Sequence, residues 1–140
     1  MIFSFIINSL LVGICVLIHY ECLYRFTLLM PTLKIRHRFR IIVGVVGAFI
    51  AHSLEIWCFA LGYYLLHDTR WGSLEGNYDG SFMDSVYFSF TTYSTLGFGD
   101  IEPHGILRYM TGIESLTGLL LITWTASFLY IEMTRYWDNR

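Results

Sequence analysis

The chain has 140 residues, of which 55% are hydrophobic and only 14% charged, and its net charge is −2. That balance marks a membrane protein with no room for a separate soluble module, and it speaks against a nucleic-acid partner, which would call for a basic surface. Cys15, Cys22 and Cys58 lie in or beside apolar segments without a Cys-x-x-Cys spacing, so neither a zinc site nor a disulfide framework is indicated.

The first apolar run, Ile2 to Tyr20, is long enough to cross about 30 Å of hydrocarbon. No basic residue precedes it and no small-residue cleavage site follows, so it reads as a retained transmembrane helix rather than a signal peptide. Pro31 is expected to end or interrupt the helix beyond Tyr20. The connection that follows carries Arg25, Lys34, Arg36, Arg38 and Arg40 against Glu21 alone, which places it in the cytoplasm. Lys34, Arg36, Arg38 and Arg40 alternate outside a span, unlike a voltage sensor, and read as a patch resting on anionic lipid headgroups.

A second span is expected over 41–66, tilted because it exceeds the hydrocarbon thickness, with Tyr63 and Tyr64 in the outer aromatic belt. Residues 67–80 are polar, and Asp68, Glu75 and Asp79 outweigh Arg70. They read as a solvated outer linker or as a means of concentrating cations. Residues 81–94 are too few to span as a helix. Ser81 and Asp84 have capping-box spacing, and Phe82, Val86 and Phe90 follow with helical spacing. A half-length helix entering from outside would aim its partly negative C-terminus into the membrane. A third long helix is expected from Pro103 to Glu132, since proline suits a first helical turn. Arg135 and Arg140 then form an inner boundary. The charge pattern puts the N-terminus outside and the C-terminus in the cytoplasm.

Between the short helix and the last span runs Thr91-Thr92-Tyr93-Ser94-Thr95-Leu96-Gly97-Phe98-Gly99-Asp100. Glycines at alternate positions allow a chain to turn successive carbonyls to one side, and make a poor helix or strand. Irregular backbone at membrane depth is tolerated only where protein or water covers it, so a stretch buried among neighbouring chains is expected.

Thr95-Leu96-Gly97-Phe98-Gly99-Asp100 resembles the potassium-channel signature filter, usually Thr-Val-Gly-Tyr-Gly-Asp. The resemblance covers roughly Ile41 to Tyr136. It implies an all-α membrane protein with a pore domain over 31–140: outer helix 41–66, pore helix 81–94, filter 95–99 and inner helix 103–132. The apolar run within 1–30 lies outside the resemblance and reads as an extra N-terminal transmembrane helix. The resemblance implies K+ at Thr95, Leu96, Gly97 and Phe98, with Gly99 completing the filter. It also implies a homotetramer in the plasma membrane, passive conduction, and no cofactor beyond the permeant ion. Carbonyl oxygens of such a ring replace an ion's hydration shell.

Three departures stand out. Phe98 replaces a tyrosine whose hydroxyl braces the filter, Leu96 replaces valine, and Thr91 stands where some relatives carry a glutamate that bonds the aspartate. Tyr87 is placed to donate to Asp100 instead. A potassium-preferring but less rigid filter follows. By the same resemblance Gly118 matches a hinge of the inner helix, although glycine serves close packing equally well. Ile122 and Ala126 are placed to line the inner cavity.

His52 and Glu55 share one face of the second span, and Glu114 lies in the outer half of the third. Ionisable groups inside spans are functional candidates by default. They read either as a satisfied structural set or as a proton-sensitive brace behind the filter. Alternatives to a selective pore are a weakly selective cation channel, a non-conducting accessory subunit, or an intramembrane proton-coupled carrier or enzyme centred on His52, Glu55 and Glu114. No His-Glu-x-x-His or similar pattern supports the last.

Overall fold

A computed structural model describes residues 2–33 and 37–137. Lys34, Arg36 and Arg140, and the side chain of Arg38, lie outside the described residues, and with them most of the proposed lipid-facing patch. The elements are α1 (Ile2–Leu29), α2 (His37–Leu66), β1 (Leu74–Gly76), α3 (Phe82–Tyr93), β2 (Ile101–Pro103) and α4 (Leu107–Trp137). Among the described residues three helices, α1, α2 and α4, are long and apolar enough to cross a membrane.

Burial runs opposite to that of a water-soluble fold. Ser4, Asn8, Cys15, His19 and Leu23 are the buried residues of α1, while Phe5, Ile6, Leu10 and Leu17 are exposed. Lipid solvates the apolar side chains, so helices associate through small and polar residues that pack closely or hydrogen-bond. That stripe turns α1 against α2 and α4. Pro31 then breaks the helix, as expected, into a 3-10 turn over Met30–Thr32, because proline lacks the N–H and clashes with the preceding turn.

Three expectations need correction. The last helix starts at Leu107, not Pro103. Residues 101–103 instead pair antiparallel with Leu74–Gly76, so the polar linker is partly ordered onto the segment that follows the glycine-bearing stretch. Gly105, at φ +63°, turns the chain after this strand, and its Cα side lies against the Trp71 carbonyl. Tyr63 is no belt residue, being fully buried. Tyr64 is half exposed and packs edge-on against Phe82.

The short helix α3 is capped at both ends. Ser81 Oγ accepts from Asp84 N at 3.1 Å, one half of a capping box. The reciprocal half is displaced: Asp84 accepts from Asp79 N, and Asp79 in turn accepts from Ser81 N. Aspartate is one methylene shorter than the usual glutamate, and Asp79 supplies the acceptor that Ser81 N needs. The apolar core behind α3 gathers Cys15, Phe59, Phe88, Leu107, Met110 and Leu121 from all four helices.

Candidate functional site

At its C-terminal end α3 runs directly into the glycine-bearing stretch. Thr95, Gly97 and Gly99 have φ of +60°, +54° and +77°, so every second residue is left-handed. A β-branched residue at positive φ is a genuine outlier. Such strain costs on the order of 1–3 kcal/mol and persists only where surroundings and function hold it. The stretch is tied down at its base: Thr95 N donates to Thr92 O at 2.9 Å and Gly97 N to Thr91 O at 3.1 Å. Among the described residues, no protein donor is paired with the carbonyls of Thr95, Leu96, Gly97 or Phe98, and all four residues are exposed.

Beyond the stretch, Tyr87 OH donates to Asp100 Oδ2 at 2.9 Å, and its ring stacks with Phe98 at a centroid separation of 6.4 Å. The Asp100 carboxylate holds the Tyr87 phenol above its ordinary range, because ionisation would place two negative oxygens together. Thr91 turns its hydroxyl back to the Phe88 carbonyl, so its link to the stretch is through its own carbonyl. Asp100 O accepts from Asn77 N at 2.8 Å, which fastens the exit to the outer linker beside β1.

The inner helix closes the base. Ser115 Oγ donates to Thr92 O at 3.2 Å, and Gly118 sits where a Cβ would collide with the Tyr93 carbonyl. Close packing is therefore the visible role of Gly118, within an unbroken helix. Ile122 and Ala126 are exposed along α4. They border a hollow of about 350 Å³ that also touches Phe49, His52, Tyr93 and Thr125.

His52, Glu55 and Glu114 fall into two sets. Glu114 is fully buried and receives Tyr63 OH at 2.6 Å and Ser89 Oγ at 2.5 Å. Glu55, also fully buried, faces His19 Nδ1 at 2.9 Å through one oxygen. Its other oxygen faces His52 Nδ1 at 3.0 Å and the Tyr93 hydroxyl. Thr125 Oγ1 reaches both remaining imidazole nitrogens, at 3.3 Å on His19 and 3.0 Å on His52. Ligand-type atoms of His19, His52 and Glu55 lie within 4.8 Å of one another, a spacing that their mutual hydrogen bonds already account for. His19 and Thr125 escape a reading of the sequence, although the Cys15–His19–Leu23 repeat at four-residue intervals marks the inward face of α1.

A family model described as "Ion channel" matches residues 51–135, more than half of the chain. The inward rectifier potassium channel Kirbac3.1 of Paramagnetospirillum magnetotacticum is 36% identical over 78 residues, covering 55% of this chain and 25% of that protein. The uncharacterized membrane protein YdjJ of Bacillus subtilis (strain 168) is 36% identical over 83 residues, covering 55% of this chain and 24% of the relative. The chain thus spans about a quarter of the length of these curated relatives. No solved structure gives a significant match. The matched segment holds the second half of α2, the half-length helix, the left-handed alternating stretch and nearly all of α4, and the chain belongs to the potassium-channel pore-domain family of ion channels.

Proposed function

We propose that four copies of the chain form a potassium-selective pore in the plasma membrane, with the N-terminus outside and the C-terminus in the cytoplasm. Carbonyls of Thr95, Leu96, Gly97 and Phe98 bind the permeant K+, Gly99 lets the chain turn away, and Tyr87, Thr91 and Asp100 support the filter. Ile122 and Ala126 line the inner cavity. Lys34, Arg36, Arg38 and Arg40 rest on anionic lipid. His52, Glu55 and Glu114 brace the filter from behind in a proton-sensitive way. Conduction is passive and involves no covalent step and no cofactor.

One observation carries this reading: four consecutive exposed residues whose carbonyls have no donor among the described residues, on a backbone that is left-handed at every second residue. Unpaired backbone groups at membrane depth cost several kcal/mol each, and a dehydrated cation shared with symmetry-related copies is the partner that satisfies them. The relative whose printed name is a potassium channel supports K+ as that cation.

A second reading, a weakly selective cation pore, is favoured by Phe98, which stacks on Tyr87 and has no hydroxyl with which to brace the filter. Purified protein in planar bilayers decides between them. A reversal potential that follows the potassium gradient is expected. Equal potassium and sodium permeability would establish the second reading, and absence of single-channel current would sink both.

A further inference from the structure

The first helix lies outside the segment that the ion-channel family model matches, yet it delivers His19, fully buried, to the Glu55 cluster. Counting protons shows what this cluster requires. Three donors converge on the Glu55 carboxylate: His19 Nδ1, His52 Nδ1 and Tyr93 OH. A carboxylate is acceptor-only, so this convergence suits the anion; His52 Nδ1 also lies 2.9 Å from the Tyr93 hydroxyl, whose one proton is given to Glu55, so it faces only acceptors and both Nδ1 atoms carry hydrogen. In neutral histidines both Nε2 atoms would then be bare acceptors. Both face one hydroxyl, that of Thr125, which has a single proton to give. One Nε2 would be left unpaired inside the membrane, with its desolvation uncompensated.

A single additional proton removes the conflict. One imidazole becomes doubly protonated and donates its Nε2–H to Thr125 Oγ1. The Thr125 hydroxyl donates to the Nε2 of the other, and every contact is satisfied. His52 is the member open to the groove beside Ile122 and Ala126, with 17% of its side chain exposed against 0% for His19 and Glu55.

We infer that His19 and Thr125 are positioning residues for the filter, and that the His19–His52 pair holds one and only one extra proton, balanced by Glu55. The inference rests on the channel reading above only for its electrical readout. The chain of contacts is short: α1 and α4 orient the two imidazoles, these orient Glu55, and Glu55 holds the phenol of Tyr93, two residues before Thr95. The groups packed around the pair are Cys15 from α1, Glu55 and Cys58 from α2, Tyr93 from α3, and Thr125 and the more distant Glu114 from α4. When the extra proton leaves on the alkaline side, a bare Nδ1 or Nε2 is stranded and the hold on Tyr93 loosens.

Two measurements on the full chain in lipid bilayers test this. Nitrogen NMR of histidine-labelled protein at neutral pH is expected to show one doubly protonated imidazole and one neutral ring carrying hydrogen on Nδ1, assigned to positions 19 and 52 by His19→Gln and His52→Gln. Two neutral rings, or two charged ones, overturn the inference whether or not current is seen. In recordings, the potassium-to-sodium permeability ratio of the parent protein is expected to fall as pH is raised. Thr125→Val is expected to lower that ratio about tenfold at neutral pH and to flatten its pH profile, Thr125→Ser to restore both, and the exposed control Thr123→Val to match the parent. A Thr125→Val profile like the parent's, or a Thr125→Ser profile like that of Thr125→Val, overturns the positioning role. If Thr125→Val does not assemble, the NMR result on the parent chain decides alone.

Discussion

The carbonyl oxygen of Tyr93 rests directly against Gly118, so that the end of α3 and the middle of α4 touch backbone to backbone. Gly118→Ala is therefore expected to destabilise the assembly by about 1–3 kcal/mol, the usual range for overpacking, because the obstructing atom is main chain and has no rotamer to change. Thermal unfolding in detergent checks this. A residue needed only for bending would tolerate alanine in the closed state and show its effect in gating alone.

Glu114 holds α3 to α2 and α4 through two hydroxyl donors, Ser89 and Tyr63. Removing one partner of a buried hydrogen bond costs about 1–3 kcal/mol, so Tyr63→Phe and Ser89→Ala are each expected to cost about that much. The two losses should not add, since both donors share one carboxylate. A double-mutant cycle by thermal unfolding gives the coupling, and strict additivity would show that the two bonds are independent.

The clamp beside the proposed filter is Tyr87 on Asp100. Because the carboxylate raises the phenol's pKa in the folded protein, the stabilisation is fully present below the ordinary tyrosine value of about 10. It is lost only as pH rises through the raised folded value. Filter behaviour that depends on the clamp should stay flat across neutral pH. Tyr87→Phe is expected to speed current decay and to lower potassium preference at every pH below that range. Phe98→Tyr, which adds a hydroxyl beside it, is expected to do the reverse. Macroscopic current decay under matched ionic gradients measures both.

A Cβ placed on Gly97 or Gly99 meets no atom within 4 Å. Within one chain the cost of Gly97→Ala is therefore dihedral, roughly 1–2 kcal/mol for a left-handed L-residue. Assembly is expected to survive while conduction falls sharply, which size-exclusion chromatography and single-channel recording separate.

How far these relationships were legible beforehand depended on their range. The filter run, the half-length helix and the Pro31 break are written in neighbouring residues, and local chemistry suffices for them. Pro103 suits a first helical turn and a strand end equally well. The strand it joins has a partner of only three residues, too short to show a period, so the inner helix was expected four residues early. Tyr63 and Tyr64 are indistinguishable by type, and only the position of Glu114 on another helix decides that one turns inward. His19 was the hardest to foresee, because its partner Glu55 lies 36 positions away and a single imidazole in an apolar run says nothing about what it will meet.

The pairing of Leu74–Gly76 with Ile101–Pro103 has a mechanical consequence. His67 Nδ1 accepts from Leu74 N at 3.1 Å, so the ribbon is anchored beside the end of α2 on one strand and continues from Asp100 on the other. In the proposed pore the ribbon is thus a lever: whatever grips it, an antibody or a tethered bead, pulls on Asp100 without touching the carbonyls of residues 95–98.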